Sequence, residues 1–236
     1  MSVDIIICEI CVISVICGSD MLPTYTASQV TQLDRYTIED LGVDLKQLME
    51  VAGMRSAEAA LKLFGKEKNI AILAGPGGNG GDALVCAKWL KLWGREPTVY
   101  LSHEEEKLKP VTLDQHKVWK AFGGKIGGVP SSSQGFDGII DGLLGYSLEG
   151  DPRGKSADLI RWANESQFPI LALDIPSGLD ATTGEARDPC IRAKHTVVFG
   201  VMKVGLTVES ASDFAGEIEL VNIGFPREFP DSVLSK

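Results

Sequence analysis

The sequence predicts an α/β fold, a three-layer α-β-α, Rossmann-like sandwich around a mostly parallel sheet. Short apolar runs alternate with amphipathic runs along the chain, and wholly apolar strands are typical of a parallel sheet that helices cover on both faces. The 236 residues, 44% hydrophobic and 23% charged, are enough for one large core, and no linker or repeat divides them.

Two helices are expected before the first strand of the sheet. Thr26-Ala27-Ser28-Gln29 fits a capping box, in which the threonine hydroxyl accepts a hydrogen bond from the Gln29 amide, so a helix begins there. Apolar residues then recur at helical spacing from Leu45 to Phe64, and Gly65 ends the run. We expect a second, longer helix over this range.

Strands and helices alternate over the remainder of the chain. Helical patterns cover Asp82 to Trp93, Leu113 to Phe122 and Ala157 to Asn164. Ligands of parallel sheets bind beyond the carboxyl ends of the strands, so the loops after the strands are candidate sites. The apolar runs predict strands over Asn69 to Ala74, Thr98 to Leu101, Gly138 to Leu144, Ile170 to Ile175, Thr196 to Phe199 and Ile218 to Ile223.

Composition argues against several classes of function. Lysine and arginine number 23 against 32 acidic residues, for a net charge of -9, so nucleic-acid binding has no electrostatic support. Five cysteines are too few for a secreted disulfide framework, and we expect reduced thiols. Cys8-x-x-Cys11 lacks a second pair, and His103, His116 and His195 lack metal-ligand spacing, so no zinc site is predicted.

Residues 1–20 differ from residues 21–236, which we expect to form a single domain. Ile5 to Cys17 is almost continuously apolar but too short to span a bilayer, and Asp4 precedes it instead of a basic residue. A signal or transit peptide is disfavoured, and the segment is either an extension outside the fold or the product of a misplaced start codon. We expect a cytoplasmic protein that does not associate with membranes.

A glycine-rich loop, Gly75 to Asp82, follows the first strand. Gly75, Gly77 and Gly80 match G-x-G-x-x-G, whose glycines allow a pyrophosphate to approach a helix N-terminus closely. Glu104, after the next strand, stands where a ribose-binding acid would be. The alternative is a turn that serves packing alone.

Two further strand ends carry acids. Asp141 lies inside an apolar run, where burial is costly unless a cation or hydrogen bonds compensate it, so it either caps local amides or belongs to a charged site. Asp174 ends the next strand, a position that suits general acid–base chemistry. Ser177 follows it, but the G-x-S-x-G pattern of serine hydrolases is absent.

These loops together resemble the signatures of the YjeF N-terminal domain family, the NAD(P)HX epimerases. The resemblance covers roughly residues 24–230, and Met49-Glu50-Val51-Ala52-Gly53 is similar to the family's M-E-N-A-G stretch. Gly78 stands where the family usually has asparagine. Four stretches in the same order carry the resemblance: Gly75 to Asp82, Asp141 to Asp151, Asp174 to Gly178 and Phe199 to Leu206.

The resemblance implies an isomerase that interconverts the R and S epimers of NAD(P)HX, a nicotinamide cofactor hydrated on its ring. Asp174 would be the catalytic residue, exchanging a proton with the ring hydroxyl through an iminium-like or ring-opened species. Lys203 either helps to hold phosphate or is a solvated charge. The implied substrate-binding residues are Gly78, Asn79, Gly80, Gly81, Asp82, Gly145, Tyr146, Ser147, Leu148, Glu149, Gly150, Asp151 and Asp174.

The resemblance also implies a cofactor and partners. One potassium ion per subunit would be held by the oxygen donors of Asn79, Asp141 and Ser177. A homodimer is expected, with an NAD(P)HX dehydratase on a separate chain consuming the S epimer. Two other classes stay open: a noncatalytic scaffold for ligand binding or dimerisation, and an NAD-dependent dehydrogenase, for whose substrate domain the chain has no room.

Overall fold

The computed structural model describes residues 22–66, 69–131 and 135–234, so the apolar segment with Cys8 and Cys11 lies outside the described residues. The strands are β1 Thr24–Tyr25, β2 Asn69–Ala74, β3 Glu96–Leu101, β4 Lys125–Gly127, β5 Gly138–Gly142, β6 Ile170–Leu173, β7 His195–Phe199, β8 Met202–Lys203 and β9 Glu217–Val221. The helices are α1 Ala27–Arg35, α2 Leu45–Phe64, α3 Gly78–Leu92, α4 Pro110–Ala121, α5 Gly154–Glu165, α6 Ser212–Ala215 and α7 Asp231–Leu234.

Seven strands form one sheet in the order β4-β3-β2-β5-β6-β7-β9, with every neighbouring pair parallel. From β2 the chain adds β3 and β4 on one side, then returns to place β5 on the other side of β2. This reversal makes the carboxyl ends of β2 and β5 a topological switch point, where ligands bind in open parallel sheets. β1 and β8 form a separate parallel pair, with Tyr25 opposite Lys203.

Helices cover both faces of the sheet, as predicted. Side chains of α1 to α4 share one apolar cluster with Ile70 and Ile72 of β2. The alternate residue Ala71 belongs to a second cluster, which includes Leu159 and Ile160 of α5. Because successive side chains of a strand point to opposite faces, these two clusters form the two interfaces of a three-layer sandwich.

The predicted helices before β2 are confirmed. Thr26 Oγ1 accepts from the Gln29 amide at 3.3 Å, and Gln29 Oε1 accepts from the Thr26 amide at 2.9 Å, which completes the capping box. α2 runs over Leu45–Phe64, and Gly65 follows with a φ of 64°, a conformation that glycine adopts without strain. No helix in the described ranges is long and apolar enough to cross a membrane.

Several predicted boundaries are wrong near the loops. α3 begins at Gly78 and not at Asp82, because the glycines form the first helical turn. The strands β5 and β6 end at Gly142 and Leu173, before the apolar runs that predicted them end, because the chain turns there into loops.

Candidate functional site

A cavity of about 560 Å³ opens at the topological switch point. The loops after β2, β5 and β6 line it, together with residues of α1 and α2. Its lining includes both acids and apolar side chains, such as Val30, Leu48 and Phe199. The predicted substrate-binding residues that line it are Gly78, Asn79, Asp82, Gly145, Tyr146, Ser147, Leu148, Glu149 and Asp174.

The amino end of α3 opens onto this cavity. Gly77 is the N-cap and Gly78 the first helical residue, and both line the cavity. A Cβ built on either glycine would meet no atom within 4 Å. Since the first amides of a helix have no partner within the helix, this end of α3 offers donors for an anionic group.

The later glycines of the loop serve packing. A Cβ on Gly80 would lie 1.9 Å from the carbonyl oxygen of Gly75, and one on Gly81 would lie 2.5 Å from Cε of Met49. Neither Gly80 nor Gly81 lines the cavity. The packing interpretation therefore holds for Gly80 and Gly81, whereas Gly77 and Gly78 leave open space at the cavity.

Asp141 is fully buried in β5 and hydrogen-bonded to the loop after β6. Its Oδ2 accepts from the Ser177 amide at 2.8 Å, and its Oδ1 accepts from Ser177 Oγ at 2.7 Å and from the Leu143 amide at 3.2 Å. Burial still raises the pKa of Asp141 to about 6. The hydrogen bonds satisfy its oxygens, but no lysine or arginine of the described chain forms an ion pair with it.

Hydrogen bonds link the three predicted cation ligands, Asn79, Ser177 and Asp141, through the backbone of Leu144. Asn79 Nδ2 donates to the carbonyl oxygens of Leu144 at 2.9 Å and Leu173 at 3.0 Å. The Leu144 amide in turn donates to Ser177 Oγ at 2.8 Å, and Ser177 contacts Asp141. Oδ1 of Asn79 is buried and has no hydrogen-bond partner among the described residues.

Asp174 lies at the end of β6 in the left-handed region, with a φ of 65°. This conformation is uncommon for a residue other than glycine and is found preferentially at functional sites. Asp174 Oδ1 accepts from the Phe199 amide at 2.9 Å and from Lys203 Nζ, which also donates to the Phe199 carbonyl at 3.0 Å. Lys203 is only 1% exposed, so its interpretation as a solvated charge is wrong.

Two more aspartates line the cavity near Asp174, namely Asp34 of α1 and Asp82 of α3. Burial raises the pKa of Asp82 well above its usual value, and the charges of Asp174 and Asp34 raise it further. Burial also raises the pKa of Asp34, which the hydrogen bond from the Tyr146 hydroxyl partly offsets. Sequence reasoning missed Asp34, since α1 shows a capping signal but no motif.

The remaining predicted residues lie outside the cavity lining. Gly150 is exposed, and Asp151 accepts from the Asp188 amide at 3.4 Å through Oδ1. Glu104, considered as a ribose-binding acid, is exposed and does not line the cavity. Within the described ranges, no three His, Cys, Asp or Glu side chains cluster as metal ligands do.

Fold and cavity define a parallel α/β domain with an acid-lined site at the switch point of its sheet. The family described as YjeF-related protein N-terminus matches residues 45–205. The chain belongs to this family.

Several relatives match most of the chain. An NAD(P)H-hydrate epimerase of Rhodopirellula baltica is 35% identical over 216 residues, covering 88% of this chain and 86% of that protein. Another, of Dehalogenimonas lykanthroporepellens, is 35% identical over 205 residues, covering 85% and 82%. The bifunctional NAD(P)H-hydrate repair enzyme of Leishmania major is 37% identical over 187 residues, but the match spans only 33% of that longer protein.

The fold also matches a solved structure. The crystal structure of the yeast protein ynu0, YNL200c, superimposes with a TM-score of 0.74 at 24% identity, covering 90% of this chain and 92% of that one. The three-layer arrangement expected from the sequence is thus confirmed by an independent structure.

Proposed function

We propose that this chain is an NAD(P)H-hydrate epimerase, an isomerase that interconverts the R and S forms of NAD(P)HX. The proposal rests on the position of Asp174. Its backbone is in the left-handed region, and its carboxylate pairs with the buried Lys203 at a cavity of about 560 Å³. The two epimerase relatives support it, because their identity extends over 82% or more of both chains.

The ion pair with Lys203 suits Asp174 to begin the reaction as a base. The carboxylate takes the proton of the ring hydroxyl while the bond from the hydroxylated carbon to the ring nitrogen breaks, which leaves a carbonyl. The same proton passes from Asp174 to the ring nitrogen. When the nitrogen adds back to the opposite face, the proton returns to oxygen, so the reaction needs no hydride acceptor.

An iminium route is the alternative, in which the hydroxyl leaves as water and water adds back to the other face. That route needs a proton donor before the hydroxyl departs. Asp174 Oδ1 accepts hydrogen bonds from Lys203 Nζ and the Phe199 amide, which suits a group that accepts the hydroxyl proton, so the geometry favours ring opening.

The remaining groups suit a dinucleotide. The unpaired amides at the start of α3 would bind the pyrophosphate, and Lys109 at the cavity lining adds positive charge nearby. The loop from Gly145 to Glu149 lines the cavity beside them. Apolar side chains, among them Leu48 and Phe225, would contact the rings.

A potassium ion is the second part of the proposal. Asn79, Asp141 and Ser177 offer hard oxygen donors, which suit an alkali or alkaline-earth cation better than zinc. Among the described residues, no donor reaches Oδ1 of Asn79 and no counter-charge pairs with Asp141, and a cation would supply both needs. A bound ion would provide positive charge where the substrate-binding loops meet.

A dehydratase would complete the repair. This chain matches about a third of the length of the bifunctional NAD(P)H-hydrate repair enzyme of Leishmania major, and we propose that an NAD(P)HX dehydratase consumes the S epimer that it forms. The homodimer and the cytoplasmic location stay predictions.

The decisive experiment replaces Asp174 with asparagine, which tolerates the left-handed backbone and removes the charge. Purified protein is mixed with R- and S-NADHX and an S-specific dehydratase in potassium buffer, and NADH recovery is compared with spontaneous epimerisation. We expect Asp174→Asn to lower the rate about 100-fold or more. Asp158→Asn, an exposed carboxylate on α5, is the matched control and keeps the wild-type rate.

Wild-type turnover by a folded Asp174→Asn variant would overturn the role of Asp174. If folded wild-type protein does not accelerate epimerisation at all, the proposed activity fails, and the noncatalytic scaffold takes its place.

A further inference from the structure

The loop after β5 is held at its two ends. At the first end, the Leu144 amide donates to Ser177 Oγ at 2.8 Å, and the Leu144 carbonyl accepts from Asn79. At the far end, Asp151 accepts from the Asp188 amide. Five consecutive residues between these anchors, 145–149, line the cavity.

Between its anchors this loop has one tether. Among the described residues, the hydrogen bond that joins residues 145–150 to another segment comes from the Tyr146 hydroxyl, which donates to Asp34. Asp34 belongs to α1, more than a hundred residues earlier in the chain. A loop with so few fixed contacts opens locally at little cost unless such a tether holds it.

The Tyr146 ring also packs against two of the apolar clusters of the core. Phenylalanine would keep that packing and lose only the hydroxyl. Asp34 is partly buried at the cavity wall. A hydrogen bond to a carboxylate is stronger than one between neutral groups, so the loss of this contact is expected to loosen the loop.

We propose that Asp34 is a positioning residue that holds the substrate-facing loop closed through the Tyr146 hydroxyl and so sets the affinity for substrate. The inference rests on the proposed epimerase function and adds to it a residue that lies outside the matched range 45–205. Its effect falls on binding, because Asp34 acts on the loop and not on the reacting proton.

The test is a double-mutant cycle of Asp34→Asn and Tyr146→Phe in the full chain. We expect each single variant to raise KM for NADHX about tenfold with kcat nearly unchanged, and the double variant to equal either single one. Asp40→Asn, an exposed carboxylate just after α1, is the matched control and keeps the wild-type KM.

Hydrogen exchange provides a readout that does not depend on activity. The amides of residues 145–150 should exchange about tenfold faster in both single variants than in the wild type. Unchanged exchange, additive effects on KM, or a fall in kcat alone would each overturn the tether. If the variants exchange faster than the wild type but the wild-type protein has no epimerase activity, the tether is supported and the proposed function is overturned instead.

Discussion

At the residue scale, the cavity gathers more negative charge than its own residues neutralise. Asp34, Asp82 and Asp174 all line it, and the buried Lys203 is already paired with Asp174. Asp82 has neither a hydrogen-bond nor an ion-pair partner among the described residues. A partly buried carboxylate without a partner lowers the free energy of unfolding, and proteins keep such residues where function requires them.

Replacing Asp82 with asparagine should therefore stabilise the protein in a pH-dependent manner. The pKa of Asp82 is raised in the folded state, which favours its protonated form. The free energy of unfolding of the wild type therefore falls as pH rises from the unfolded pKa of about 4 through the raised pKa of the folded state. Asparagine does not titrate, and the stability gained by Asp82→Asn should grow over that range. Urea unfolding at pH 4.5, 6 and 8 measures it, and a difference independent of pH would contradict the charge argument.

Residue types at strand ends were predictable, but their partners were not. Asp174 was found because an acid after an apolar strand lies at the ligand edge of a parallel sheet. The burial of Lys203 depends on the pairing of β8 with β1, which joins residues 24–25 to residues 202–203. No local pattern in either two-residue strand indicates that pairing. From the sequence alone, Lys203 could therefore be either a phosphate-binding residue or a solvated charge.

At the element scale, the first turns of α3 pack closely against the carboxyl ends of β2 and β5. The space between Gly80 and Gly75 is too small for a methyl group. A Cβ built on Gly142 would lie 2.6 Å from the Cβ of Ala83. This close approach sets the start of α3 beside the ends of β2 and β5. The amides of its first turn consequently reach the cavity.

Gly80→Ala and Gly78→Ala test this packing as a matched pair. Gly80→Ala places a methyl group 1.9 Å from the Gly75 carbonyl oxygen, and we expect a loss of about 2 kcal/mol or more and a Tm lower by roughly 4–8 °C. Gly78→Ala meets open space at the first helical position and should leave Tm equal or higher. Equal Tm values for the two variants, measured by calorimetry, would contradict this account.

Elements with strong periodicity were predicted well, and irregular ones were not. α2 matched its predicted range because its apolar spacing and Gly65 mark it clearly. α3 was predicted to start late because glycine has low helix propensity, and packing against β2 overrides that preference. β4 escaped prediction because Lys125-Ile126-Gly127 holds one apolar residue, and only its pairing with β3 makes it a strand.

At the scale of the whole molecule, the site forms where separate parts of the chain converge. The switch point brings together the loops after β2, β5 and β6, and the segment from β1 to α1 adds Asp34 and the strand that holds β8. That first segment precedes the matched range 45–205. The segment from β1 to α1 therefore completes the site, although the clearest sequence motifs lie later in the chain.

Potassium binding would connect these parts of the chain and should raise the thermal stability of the protein. Asn79, Asp141 and Ser177 come from three different segments, and the ion would bind only when they are assembled. A ligand at one hundred times its Kd stabilises the folded state by about 2.7 kcal/mol, so we expect potassium to raise Tm by roughly 5–10 °C over tetramethylammonium. Asp141→Asn and Ser177→Ala should abolish the rise, whereas Asp158→Asn should keep it. The same Tm in potassium and tetramethylammonium would overturn the site, and a rise that survives in Asp141→Asn would place the ion elsewhere.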